Sequence, residues 1–128
     1  MEGYLKKDAD ANKVEIFQTV PKNARYADDY KRIVTKYRVL AAVGDEAILE
    51  VELVTGRTHQ IRVHMASLGT PVIGDRQYGK QALDKRLPVV PARQMLHAWR
   101  LTLWHPVESR QMTFTAPIPT DMSVYGDL

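Results

Sequence analysis

The alternation of polar and apolar positions marks strands at both ends of the chain. Lys13-Val14-Glu15-Ile16-Phe17 alternates and predicts a short strand. Residues 21–32, PKNARYADDYKR, are polar and irregular and read as a loop. Ile33 to Val43 is rich in β-branched and aromatic residues, and Ala47 to Val54 alternates again. With Gly44-Asp45 supplying turn chemistry between them, the two runs predict an antiparallel hairpin. Met95–Trp104 and Arg110–Ala116 predict a second hairpin across the turn His105-Pro106-Val107-Glu108-Ser109. Residues 81–94, with Pro88 and Pro91 among charges, read as the most mobile segment, and Asp121–Tyr125 as a closing helical turn.

Between the hairpins the period changes. In Thr58–Leu68 the apolar residues Ile61, Met65 and Leu68 recur at i, i+4 and i+7, one face of a helix. Thr58 is the expected N-cap, and Gly69 sits where a left-handed C-terminal residue belongs. Thr70–Lys80 contains two glycines and a proline and reads as an ordered loop. The expectation is a single α+β domain over residues 1–128: an antiparallel or mixed β-sheet carrying one main helix at about 58–68.

Composition narrows the class. At 128 residues, 45% hydrophobic and 26% charged, the chain reads as one globular domain. The absence of cysteine excludes disulfides and thiolate metal sites and suits a reducing, cytoplasmic setting. No apolar run approaches the ~20 residues of a membrane helix. No basic stretch leading into an apolar one follows Met1, so no secretory signal is expected. The net charge of +3 conceals an asymmetry: residues 57–100 carry eight Lys/Arg against two acids, a net of +6, whereas both flanks are net negative. A polyanion is best met there, although a merely solvated basic surface gives the same count.

The densest chemistry lies at Thr55–His64, where a strand ends, Gly56 permits a turn and a helix begins with cationic residues. A helix N-terminus exposes unpaired N–H groups and favours phosphate or carboxylate. Arginine there opposes the helix dipole, so Arg57 and Arg62 are not present to stabilise the helix itself. At 100° per residue Ile61, His64, Met65 and Leu68 cluster on one side, and His59, Arg62 and Ala66 lie together on the other. His59 and His64, five apart, lie about 140° apart around the helix and do not form an i, i+4 metal pair. No Walker, Rossmann or Gly-x-Ser-x-Gly pattern occurs. Tyr78, Trp99, Trp104 and Phe114 are placed in the core rather than on a base-stacking surface, and Asp75 is expected to hold its turn by bonding the backbone two residues on.

TGRTHQIRVH at residues 55–64, followed by SLGTPVIGD at 67–75, Tyr78-Gly79, Leu96-His97-Ala98, His105-Pro106 and Phe114-Thr115-Ala116-Pro117, resembles the RluA-type pseudouridine synthases in order and interval. The match runs from about Thr35 to Met122. The resemblance implies a partial pseudouridine synthase catalytic fold and the isomerisation of uridine to pseudouridine in ribosomal or transfer RNA, with no cofactor and no metal. It makes Arg62 the partner of the family's nucleophilic aspartate, and Arg57, His59, Arg76 and Lys80 contacts to RNA. That aspartate lies in a His-Arg-Leu-Asp motif, which does not occur in these 128 residues, and the family's active-site tyrosine lacks a counterpart too. The chain therefore reads as the C-terminal portion of a catalytic domain, inactive alone, whose Arg62 is solvated or paired elsewhere. A non-catalytic RNA-binding module is the alternative, and open sheet edges would favour self-association.

Overall fold

The computed structural model describes residues 1–8, 13–19, 30–87 and 89–125. Four strands, β1 (Glu2–Asp8), β2 (Lys13–Phe17), β3 (Tyr30–Val43) and β4 (Glu46–Leu53), form an antiparallel sheet in the order β2-β1-β3-β4. The helix α1 (Gln60–Ser67) follows, then the one-turn helix α2 (Gln81–Asp84). A separate two-stranded sheet, β5 (Arg100–His105) with β6 (Arg110–Thr115), and the one-turn helix α3 (Thr120–Ser123) complete the order. Mixed α/β architecture with antiparallel sheets and one main helix is thus as expected, with two sheets in place of one.

The period-2 rule shows where the core sits. Gly3 pairs with Ile33 and Leu5 with Ile16, so these residues, with Val14 and Thr35, share one face of the sheet. Leu5, Val14, Ile33 and Val63 of α1 form the buried core, with Ile16 and Tyr78 packed against it. Full burial of each such aliphatic side chain is worth about 1.5–3 kcal/mol. β1 escaped the sequence reading because Leu5 is its one large apolar residue on that face, followed by exposed Lys6 and Lys7. The loop expected at 21–32 lies mostly outside the described residues, and its last three positions open β3 instead.

The helix starts later and faces differently than its apolar spacing predicts. Thr58 is not the N-cap. His59 occupies that position in the left-handed region, φ 54° and ψ 20°, without a side-chain capping bond. Gly69 follows the helix at φ 80°, as expected. The buried residues are Gln60, Val63, His64 and Met65, while Leu68 is 51% exposed. Two inward residues are polar because β3 offers them polar partners. Gln60 Nε2 donates to Val34 O and Thr35 Oγ1, both at 3.0 Å, and His64 Nδ1 lies 2.8 Å from that hydroxyl. A count of apolar residues alone cannot register a ridge of this kind.

The β3–β4 hairpin turns at Gly44-Asp45 as expected, with a register shift between Val39 and Ala41. The second hairpin is shorter than predicted. Residues 95–99 stay outside the ladder, and the Met95 amide donates to Ile73 O at 2.7 Å. Trp104 and Phe114, expected in the core, are 66% and 49% exposed. Residues 81–94 begin with the turn of α2, and α3 lies close to the helical turn expected at 121–125.

Burial and the nearby N-terminal charge lower the His64 pKa from 6.5. A His pKa lower in the folded than in the unfolded chain gives stability that is present above the unfolded value and lost as pH falls below it. Thermal midpoints should therefore hold above neutral pH and drop as pH passes below about 6.5. His64→Asn, which keeps an acceptor for Thr35, should flatten that decline in a series of melts across pH.

Candidate functional site

The site is built on the turn that leads from β4 into α1. Thr55 Oγ1 accepts the Val34 amide at 3.0 Å and donates to Gln60 Oε1 at 2.8 Å. The same Oε1 accepts the Arg57 amide at 3.1 Å. With its two bonds to β3, the Gln60 amide uses both oxygen lone pairs and both N–H groups, the condition under which a buried amide is not costly. This clamp sets where Arg57, His59 and Arg62 leave the backbone.

Arg62 extends across to the loop after the helix. Its Nε donates to Asp75 Oδ2 at 2.8 Å and its Nη2 to Asp75 Oδ1 at 2.9 Å, a two-bond fork. Asp75 is fully buried, and Oδ1 also accepts the amides of Gln77 at 3.0 Å and Tyr78 at 3.1 Å. Burial by itself would raise its pKa, but the Arg62 bonds and those two amides outweigh it and hold the carboxyl below the usual range. The same pair raises the Arg62 pKa, chiefly through the Asp75 bond. Asp75 thus holds its turn as its sequence context predicts, and it is the partner that Arg62 finds elsewhere in the chain.

Two glycines make the Asp75 loop possible. A Cβ on Gly74, whose φ is 82°, would collide with Arg93 O, and one on Gly79 would collide with Asp75 O. Between them Tyr78 turns inward. Its hydroxyl accepts the Val14 amide at 3.0 Å and lies 2.9 Å from His59 Nδ1. The Arg62 guanidinium sits 5.1 Å from the centroid of its ring. Burial and then the Arg62 charge lower the His59 pKa below 6.5.

Of the sequence-derived residues, the structure brings His59 and Arg62 together around Tyr78. Arg57, Arg76 and Lys80 are exposed. The Arg76 guanidinium reaches Ala92 O at 3.4 Å, and no contact among the described residues joins these three side chains to the cluster. Asp75 and Tyr78 are the residues whose place in the site sequence reasoning missed. Each was read as structural, and a separation of 13 or 19 residues leaves no periodic trace of its partner.

The family profile described as RNA pseudouridylate synthase matches residues 2–67, just over half of the chain. The chain belongs to this family. Similar curated proteins include an uncharacterised RNA pseudouridine synthase of Chloroflexus aurantiacus, 49% identical over 90 residues, which are 70% of this chain and 27% of that protein. Ribosomal large subunit pseudouridine synthase D of Nitrosomonas europaea is 44% identical over 96 residues, 70% of this chain and 27% of its own. An uncharacterised RNA pseudouridine synthase of Bacillus subtilis is 42% identical over 95 residues, 74% and 31% respectively. The chain thus spans less than a third of the length of these relatives. In this pseudouridylate synthase chain the family match contains Arg57, His59 and Arg62, whereas Asp75 and Tyr78 lie beyond it.

Removing one member of a buried ion pair typically costs about 3–5 kcal/mol, because the other charge stays buried and unpaired. Arg62→Ala should lower the stability read from urea unfolding by that amount. Gly79→Ala should lose soluble folded protein, since the obstacle is backbone rather than a side chain able to swing away.

Proposed function

We propose that this chain is the arginine-bearing, RNA-contacting portion of a pseudouridine synthase catalytic domain, and that it does not isomerise uridine by itself. The observation that carries the reading is the state of Arg62. Asp75 holds the guanidinium through Nε and Nη2, Nη2 also reaches Gln77 Oε1 at 3.4 Å, and Nη1 makes no hydrogen bond among the described residues. A guanidinium carries five N–H donors, so its other end remains able to take a second carboxylate. In the proposed whole enzyme that carboxylate is the nucleophilic aspartate. The reaction breaks the C–N glycosidic bond, turns the uracil and rejoins it through carbon. The carbon gives up a proton and the nitrogen gains one, so nothing is added or removed overall.

The proposed partner is ribosomal or transfer RNA in the cytoplasm. Arg57, Arg76 and Lys80 supply exposed charge toward phosphate, and His59 sits beside Arg62 at the helix entrance. Extruding a base from its stack costs a few kcal/mol that such contacts must return. The central net charge of +6 equally supports a non-catalytic RNA-binding module. Self-association is a further proposal: β2 and β4 lie at the edges of the four-stranded sheet, and Leu101, Trp104 and Phe114 are exposed on the second hairpin. Light scattering at high concentration that showed only monomer would refute it.

Mass-based mapping of ribosomal and transfer RNA incubated with the chain should find no pseudouridine. A chimera joining the remainder of the Nitrosomonas relative to this chain should form it, and Arg62→Ala in that chimera should slow turnover about 10²–10³-fold. An inactive chimera that still binds RNA would favour the binding module. Three phosphate contacts on single-stranded RNA predict affinity falling about twentyfold between ~50 and ~200 mM salt in gel shift.

A further inference from the structure

We propose that Tyr78 is a positioning residue that fixes His59 in its Nε2–H tautomer and so presents that N–H outward as a donor to RNA, an inference that rests on the RNA-contacting reading above. The Tyr78 hydroxyl is held on one side, where it accepts the Val14 amide at 3.0 Å. Its own hydrogen needs an acceptor, and His59 Nδ1 at 2.9 Å is the one at hand. An Nδ1 that accepts carries no hydrogen, so in the neutral ring the proton stands on Nε2. Nε2 makes no bond among the described residues, and it is not among the sealed, unpartnered side-chain atoms. It therefore reaches solvent with a hydrogen to give.

Burial, and then the charges around the ring, favour its neutral form. Arg62 and Lys7 both disfavour the imidazolium, and Asp75, which would favour it, is committed to its fork with Arg62. The backbone adds a second constraint. His59 holds φ 54°, a conformation that a residue with a Cβ keeps only when its surroundings enforce it. The edge-to-face packing of the two rings, with centroids 5.6 Å apart, and the bond through the phenol fix the His59 side chain at that position. Tyr78 in turn is anchored by its amide on Asp75 and by its hydroxyl on β2. One side chain thus orients His59 while its ring backs Arg62.

The test uses the 128-residue chain labelled with ¹⁵N and a single-stranded, uridine-containing oligoribonucleotide. Long-range ¹H–¹⁵N correlation near neutral pH should show His59 with Nε2 protonated and Nδ1 bare. In Tyr78→Phe, which keeps the ring beneath Arg62, both tautomers should appear. Affinity for the oligonucleotide should fall about threefold to tenfold, the weight of one neutral hydrogen bond. The salt slope should not change, because no charge is removed. In a His59→Ala background Tyr78→Phe should cost nothing further, as expected of a residue that acts through another. A wild-type His59 protonated at Nδ1, a tautomer unmoved by Tyr78→Phe, or additive losses in the two variants would overturn the assignment, and the wild-type spectrum decides the tautomer even if Tyr78→Phe fails to fold. A locked tautomer in a chain that does not bind the RNA would instead overturn the outward donor together with the RNA-contacting reading.

Discussion

A carboxylate sealed from water is tolerable only when its charge is answered, and the Arg62–Asp75 fork answers it here. Much of the site follows from that requirement. The fork ties the middle of α1 to the loop after it, and the two amides that complete the coordination of Asp75 fold that loop tightly enough for Tyr78 to reach the core. Gly74 and Gly79 are then fixed by space, since the backbone passes too close on either side to admit a side chain. The glycine-aspartate and tyrosine-glycine pairs are one mechanical unit built around one buried charge.

The polar residues of the helix entrance serve the same end by another route. Gln60 and His64 point inward because Val34 and Thr35 leave a carbonyl and a hydroxyl beneath them. Hydrogen bonds fix orientation more narrowly than aliphatic contact does, since both partners must meet at a set distance and angle. The first turn of α1 is consequently held in register with β3 while its other side remains open for contact.

How much of this was legible in the sequence depended on the range of each interaction. The Gly44-Asp45 hairpin and strand β2 were readable because their signals lie within a few residues. His64 and Met65 face inward as the 100° spacing places them. The start of α1 and the rest of its inward face were misjudged, because Gln60 is buried there and Leu68 is not. Trp104 and Phe114 were placed inside on residue type alone, yet no described element covers them. Arg57, His59 and Arg62 stood out through their setting at a helix start. The roles of Asp75 and Tyr78 required knowing which loops meet, and that is a tertiary fact.

The fork also divides electrostatic labour within the basic segment. Opposite charges with N–O distances of 2.8 and 2.9 Å form a compact dipole, whose field fades with distance far faster than that of a lone cation. Arg62 is therefore nearly silent beyond its immediate neighbours. Arg57, Arg76 and Lys80, exposed and without a carboxylate partner among the described residues, are the nearby cations whose field extends across the ~10 Å reach of electrostatics in dilute salt. In the proposed RNA contact, capture of the polyanion falls to them. On that proposal long-range guidance and close-range pairing are carried by separate side chains, and each is free to change without retuning the other.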